Sequence, residues 1–402
     1  MRAFSTVAFV VLLSSVAVAA DKKYDTGASD QEIKIGQTAP YSGPVSAAGV
    51  IGKTGTAYFN MVNANGGING RRINYISLDD AYSPSKTVEQ IRKLVEQDDV
   101  LYISNQVGTP TSASVQKYLN GHQIPQLFIG SGATRWNNPK EFPWTSPFTL
   151  SAEIEMGIYA KYIRQQIPNA KIGILFQNDD FGKDYVRSFK KGLGENSGAS
   201  IVKEISYESS DPTIDSQIVS LKASGANVFL DITTPKFGAQ SIRKAHEIGW
   251  TVPHFVTSST VSIEGTLKPA GLELAQGIIT ASVWKEPLSD AYKDDAGVQE
   301  YLAFSKKWNA GVDPADVFAM QGYTVAQLTA AILKECGDDL TRANILKQAT
   351  SLKGIQLSLI RPGILASNSP EDYNLFHQVQ LMRFKGTNWE PMDGLLSFER
   401  QP

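Results

Sequence analysis

Small residues that follow an apolar run leave backbone chemistry open to a ligand, and the sequence has two such places. The first is Leu127-Phe128-Ile129, which runs into Gly130-Ser131-Gly132-Ala133-Thr134. Glycines let the backbone come close to a bound group. Consecutive N–H groups together with the Thr134 hydroxyl can then hold a small anion such as a carboxylate. The second is Leu101-Tyr102-Ile103, which runs through 104–108 into Thr109-Pro110-Thr111. Thr109 has the chemistry of a helix N-cap and Pro110 that of the first helical position. A helix starting there points unpaired N–H groups at the strand ends, the usual place for an anion. Either stretch alone also reads as a plain turn. As a pair they predict neighbouring strands of one parallel sheet, with the crevice beyond their ends as the site.

Other chemistries find less support. Nucleophilic catalysis needs a base oriented beside Ser, Thr or Cys. None of the four histidines (His122, His246, His254, His377) sits in a nucleophile motif, and no two have metal-ligand spacing. His254, just before a strand, reads as a structural histidine or as a ligand contact. The pairs Asp79-Asp80 and Asp179-Asp180 suit caps and turns, because adjacent loop residues diverge in direction. The stretch 47–54 fits a relaxed phosphate-loop pattern, but Pro40 and Pro44 separate it from the preceding strand and its first glycine is missing. The reading is therefore a non-enzyme with no metal and no cofactor.

The elements that must position these turns follow from periodicity. Strands are expected at 33–38, 73–78 and 100–104, with helices at 46–65 and after Pro84. This regular alternation predicts an α/β, doubly wound parallel sheet. A Pro- and Trp-rich loop at 139–148 marks a first crossing. A second series follows: a helix near 153–166, strands at 172–176, 201–207 and 228–232, and helices opened by Phe181-Gly182 and Asp211-Pro212. Strands at 254–256 and 278–283, a helical region at 296–336 and a terminal strand at 378–385 complete it. Two similar lobes crossed more than once make a hinge, and a hinged crevice is a ligand clamp.

Composition sets the outer bounds. The 402 residues are 42% hydrophobic and carry 38 basic against 40 acidic side chains, a net charge of −2. That balance asks for neither nucleic acid nor an anionic membrane. Arg2, an apolar stretch over 3–18 and Ala17-Val18-Ala19-Ala20 have the pattern of a secretory signal over 1–20, cut after Ala19 or Ala20. The only cysteine, Cys336, can form no internal disulfide and reads as a small buried apolar side chain.

The chain resembles the periplasmic Leu/Ile/Val-type substrate-binding proteins of ABC transporters. The residues that carry the resemblance are Ile33-Lys34-Ile35-Gly36 with Tyr41-Ser42-Gly43-Pro44, Gly66-Gly67-Ile68-Asn69-Gly70, Asp79-Asp80, Ser131-Gly132-Ala133-Thr134 and Asp180-Phe181-Gly182. It implies two doubly wound lobes joined by a multi-segment hinge, the type I periplasmic binding protein fold. The first lobe would take 31–150 plus 282–353 and the second 151–281 plus 354–402. It implies a monomer that binds a small molecule in the periplasm and delivers it to an inner-membrane permease. The same fold in sensory receptors is the alternative. Carried over by position, the carboxylate anchor falls on Gly108, Thr109, the Gly132 backbone and the N–H and hydroxyl of Thr134, with Ala133 among the ligand-binding residues.

The departures bear on the ligand. Amino-acid binders of the family place a second-lobe glutamate on the ammonium group, and Ser259 stands about where it would be. Phe181 and Thr233-Thr234 stand where tyrosines are common, and Ala48 replaces a bulky aromatic. An ammonium buried without its counter-charge loses several kcal/mol. The reading favours an aromatic or hydrophobic carboxylate, with Thr233, Thr234 and Ser259 facing ring hydroxyls and Tyr41, Phe318 and Tyr323 near the pocket. Branched-chain amino acids remain the alternative, with Glu264 or Asp231 supplying the missing charge.

Overall fold

The computed structural model describes residues 22–194 and 200–398. The expected signal segment, 1–20, lies outside the described residues. Among the described residues, no helix is long and apolar enough to cross a membrane.

The first sheet comprises β1 (Glu32–Ala39), β2 (Arg72–Asp79), β3 (Tyr102–Ser104), β4 (Gln126–Ile129) and β5 (Thr145–Pro147), in the order β2-β1-β3-β4-β5 and all parallel. Parallel strands need crossover helices, and α1 (Val50–Ala64), α2 (Pro84–Glu96) and α3 (Thr109–Gly121) supply them. Ile51, Tyr58 and Phe59 of α1 share a core with Ile33, Ile35 and Ile73. Ile91 and Leu94 of α2 join Val115 and Leu119 of α3 around Ile103. The sheet is thereby covered by apolar stripes at helical spacing. β3 pairs β4 through Ile103 with Gln126 and Ser104 with Leu127, so the two apolar runs are neighbours as their sequence requires.

The second series begins with α4 (Ala152–Gln166), β6 (Ile172–Gln177), α5 (Asp180–Leu193), β7 (Ile201–Tyr207), α6 (Asp215–Ala223), β8 (Val228–Ile232), α7 (Pro235–Glu247), β9 (His254–Val256) and β10 (Ile279–Ser282). The chain then returns to the first half with α8 (Ala296–Trp308) and α9 (Val317–Cys336). There Tyr323 packs at 5.2 Å from Tyr58 of α1 and 5.0 Å from Phe304 of α8. It comes back with β11 (Gln378–Lys385) and β12 (Asn388–Pro391), and the second sheet runs β12-β11-β10-β9-β8-β6-β7. Three chain segments therefore join the halves.

Three local expectations need correction. The second sheet is mixed, because β11 lies antiparallel to β10 and β12. Pro- and Trp-rich 139–148 contains a strand, β5, that closes the first sheet beside β4. Asp211-Pro212 does not open a helix: the Asp211 carboxylate accepts the Glu208 N–H at 2.8 Å and its own N–H donates to the Glu208 carbonyl at 2.9 Å, a closed turn, and α6 starts at Asp215.

Candidate functional site

A cavity lies between the halves, with an empty volume of about 980 Å³ including its open mouth. Its first wall comes from the first sheet's strand ends, with Ala48, Gly108, Thr109, Ser131 and Gly132. The facing wall presents Phe181, Tyr185, Thr234, Ser258 and Ser259, and the connecting segments add Trp284, Phe318 and Phe376. Among the described residues, no charged side chain lines it.

The first wall is built by two turns. Gly108 is the N-cap of α3 with φ 95°, a left-handed conformation suited to glycine, and a Cβ there would overlap the Tyr82 ring. Thr109 is consequently the first helical residue rather than the cap, and Pro110 the second, one position later than the sequence suggested. Its N–H, like all first-turn donors, has no partner within the helix. In the second turn a Cβ on Gly132 would overlap the Leu150 carbonyl and the Tyr185 hydroxyl, so this close approach of the two halves requires glycine.

Hydroxyl bookkeeping identifies the donor that faces the cavity. Ser131 Oγ accepts the Trp136 Nε1–H at 3.0 Å and the Ala133 N–H at 3.4 Å, which engages both lone pairs. Its proton must then go to Thr109 Oγ1, 2.6 Å away. That leaves the proton of Thr109, which lines the cavity, free for another acceptor.

The other expected anchors sit elsewhere. Thr134 does not line the cavity: its N–H donates to Asp184 at 2.6 Å and its hydroxyl to the same carboxylate at 2.8 Å. Ala133 packs with Ile129 and Trp136. Tyr41 turns into the first half, where its hydroxyl meets Ser77 at 2.5 Å and its N–H donates to Asp79 at 3.0 Å. Thr233 is buried behind the wall, its carbonyl accepting from Thr260 at 2.6 Å; its neighbour Thr234 is the one that reaches the cavity. Tyr323 belongs to the Tyr58–Phe304 ring cluster, whereas Phe318 does line the cavity.

Neither alternative source of negative charge is at the cavity. Glu264 pairs with Lys268, and buried Asp231 pairs with Ser241 and with His254 at 3.1 Å. His254 stacks on Phe229 at 4.3 Å, a structural role. Glu155 is a carboxyl fully buried behind the lining residue Ser258, whose N–H and hydroxyl donate to it at 2.6 and 2.9 Å. Burial pushes Glu155 up to about 7, against the hydrogen bonds from the Ser258 N–H and hydroxyl, Tyr159 and Tyr185. Those donors fill its acceptor sites, so it offers little to a cation in the cavity.

Several wall residues escaped the sequence reading. Tyr82 adopts φ 59°, with its N–H held by Asp80 at 3.0 Å, and this left-handed turn brings its ring to the cleft. Phe148 lies 6.1 Å from Trp284 and 5.6 Å from Phe376, an aromatic floor drawn from three distant segments. Only the small-residue context of Tyr82 carried any local signal. The acid pairs do serve as caps: Asp179 accepts from Gly182 N–H at the start of α5, and Asp79 holds the Tyr41, Ser42 and Ala81 N–H groups. Cys336 is free and buried, and burial pushes its thiol up to about 12. Residues 47–54 form a short 3-10 turn and the start of α1, with no strand leading directly into them. Among the described residues, no group of three His, Cys, Asp or Glu is placed to hold a metal.

Two sheets clasped around a cavity at their strand ends define a class of binding protein, and comparison with known proteins gives the family. The family profile described as periplasmic binding protein matches residues 32–388, and the chain belongs to that family. Leu/Ile/Val-binding protein homolog 3 of Brucella melitensis is 24% identical over 355 residues, covering 87% of this chain and 91% of that protein. The Thermus thermophilus branched-chain amino acid ABC transporter structure with bound valine superposes with a TM-score of 0.83 at 16% identity, covering 92% of this chain and 97% of that one. A fatty acid ABC transporter substrate-binding protein from Thermomonospora curvata gives 0.78 at 19% identity, covering 94% and 95%.

Proposed function

We propose that this protein is the periplasmic solute-binding component of an ABC importer, and that its cargo is an aromatic or otherwise hydrophobic carboxylic acid delivered by the monomer to an inner-membrane permease. The observation that carries the ligand class is a cavity walled by aromatic, aliphatic and neutral polar side chains, with no charged group on it among the described residues. An ammonium there would be desolvated without a counter-charge, at a cost of several kcal/mol. A carboxylate, by contrast, meets the Thr109 hydroxyl, the first N–H groups of α3 and the backbone at Gly132. Such donors, with a helix N-terminus behind them, suit an anion without a cationic side chain. Phe181, Ala48, Ser259 and Thr234 then shape the space for the ligand's body.

The relatives' names bracket this reading, from branched-chain amino acids to fatty acids. Closure follows from contacts a ligand makes with both halves only when they are together, a population shift with no covalent chemistry. The test is a thermal-shift screen of the mature protein against aromatic acids, aliphatic acids of graded length and branched-chain amino acids. A ligand at a hundred times its dissociation constant adds about 2.7 kcal/mol of stability. Shifts confined to the acids are the expected result; shifts with leucine or valine alone would overturn the ligand class.

A further inference from the structure

The turn 131–134 has the makings of an anion site, and in this structure part of it is already filled. Asp184, on α5 of the second half, reaches across to Thr134 in the first. One carboxylate oxygen accepts the Thr134 N–H at 2.6 Å and the other accepts its hydroxyl at 2.8 Å. The Asp184 side chain is only 6% exposed, and Arg187 supplies it with a further partner from the solvent side. One turn of α5 earlier, Asp180 pairs with Arg135 at 2.8 Å, so the same two segments are tied twice. A charge-assisted pair of this kind is stronger than a neutral one and harder to displace from a buried position.

We propose that Asp184 is a resident carboxylate that determines specificity: it occupies the Thr134 donors when the halves close and so denies them to a ligand. This rests on the reading of the cavity as an acid-binding site and sharpens it. A free acid keeps only the Thr109 side of the turn pair. Ligands that need a full carboxylate clamp, as short polar acids with little apolar body do, lose two donors. Acids with a large apolar body retain the contacts of the aromatic walls. The arrangement also means that part of the closing contact between the halves belongs to the protein itself and not to its cargo.

The test needs no knowledge of the cargo. Asp184→Ala removes the carboxylate and leaves a space of acetate size against the Thr134 N–H and hydroxyl. Melting temperature is followed against sodium acetate, with sodium chloride at equal ionic strength as the reference, for the wild type, Asp184→Ala, Asp184→Asn and the double variant Asp184→Ala with Thr134→Val. Acetate should raise the melting temperature of Asp184→Ala by about 2 °C at ten times its dissociation constant. It should leave the wild type and the isosteric Asp184→Asn unmoved, and the double variant, which keeps the N–H at 134 but loses the hydroxyl, should show a clearly smaller response. Should alanine fail to fold, Asp184→Ser, which keeps a hydroxyl beside Arg187, opens nearly the same space. An equal response in the wild type, no response in the opened variants, or a response that Thr134→Val leaves undiminished would each overturn the assignment. Because the probe is acetate, failure of the hydrophobic-acid reading leaves this outcome readable on its own.

Discussion

Two threonines in the first half carry the same hydroxyl chemistry and serve different partners. Thr109 opens α3, shares a 2.6 Å hydrogen bond with the Ser131 hydroxyl and lines the cavity. Thr134 follows β4, one turn further on, and gives both its N–H and its hydroxyl to Asp184. Residue type and strand-end position mark both as anion binders. What is left for each to bind is decided by what the second half brings up against it. Asp184, fifty residues away in sequence from Thr134, converts an external anchor into an internal tie.

The largest break in this comparison should come from Gly132→Ala, at the joint between the two turns. Its Cβ would overlap the Leu150 carbonyl and the Tyr185 hydroxyl, backbone and buried side chain alike. Chemical denaturation should show a loss of about 3 kcal/mol or more, and ligand binding should fail with it. A near-neutral result would mean that the halves need not approach so closely there.

Thr109→Val should come next. It preserves shape, removes the donor that faces the cavity and strands the Ser131 proton. The loss of a hydrogen bond to a charged group is worth about 1.5–3 kcal/mol, so acid affinity by calorimetry should fall by about tenfold or more. Tyr41→Phe is the contrasting change. Its hydroxyl meets Ser77 and does not line the cavity, so stability should drop by about 1 kcal/mol while affinity holds.

Acid–base behaviour gives a smaller and graded effect. Burial raises Glu155 and Glu286 to about 7 and Asp316 to about 6, above their ordinary carboxylic values. A carboxyl raised in the folded state stabilises fully below its unfolded value, and that contribution is lost as pH rises through the folded one. Stability should therefore decline between about pH 4.5 and 7, at most about 1.4 kcal/mol per pH unit per group. Depressed carboxyls such as Asp295 act in the opposite sense, but only at still lower pH. Glu155→Gln should flatten the slope near pH 7 in urea titrations; an unchanged slope would mean that Glu155 is ionised in the folded protein.

Much of the fold was legible because it rests on local signals. The strand at Ile33 and Ile35, the glycines after α1, the proline at the start of α2 and the helical spacing of Ile91 and Leu94 each act within a few residues. The adjacency of β3 and β4 followed from the helix between them. The antiparallel β11 did not, because nothing in its own alternation says which strand it will meet. At the site, Gly108, Thr109, Gly132, Phe181, Ser259 and Ala48 line the cavity. Tyr41 and Thr233 miss it by the rotation of a turn, and the aromatic floor of Phe148, Trp284 and Phe376 needs three chain passages to assemble. Asp184 was illegible for the same reason: its neighbours in sequence describe a helix cap and an amphipathic face, not the turn it reaches across the cleft.

The central claim is that the cavity accepts an apolar acid and rejects the same molecule bearing an ammonium group. Calorimetric titration with matched pairs tests it most directly: 4-methylpentanoate against leucine, and 3-phenylpropanoate against phenylalanine. The account predicts that the acid without the amino group binds about a hundredfold tighter or more within a pair, the difference expected from an uncompensated buried charge. Tighter binding of the amino acid in either pair would show that a negative group reaches the cavity after all, and would contradict it.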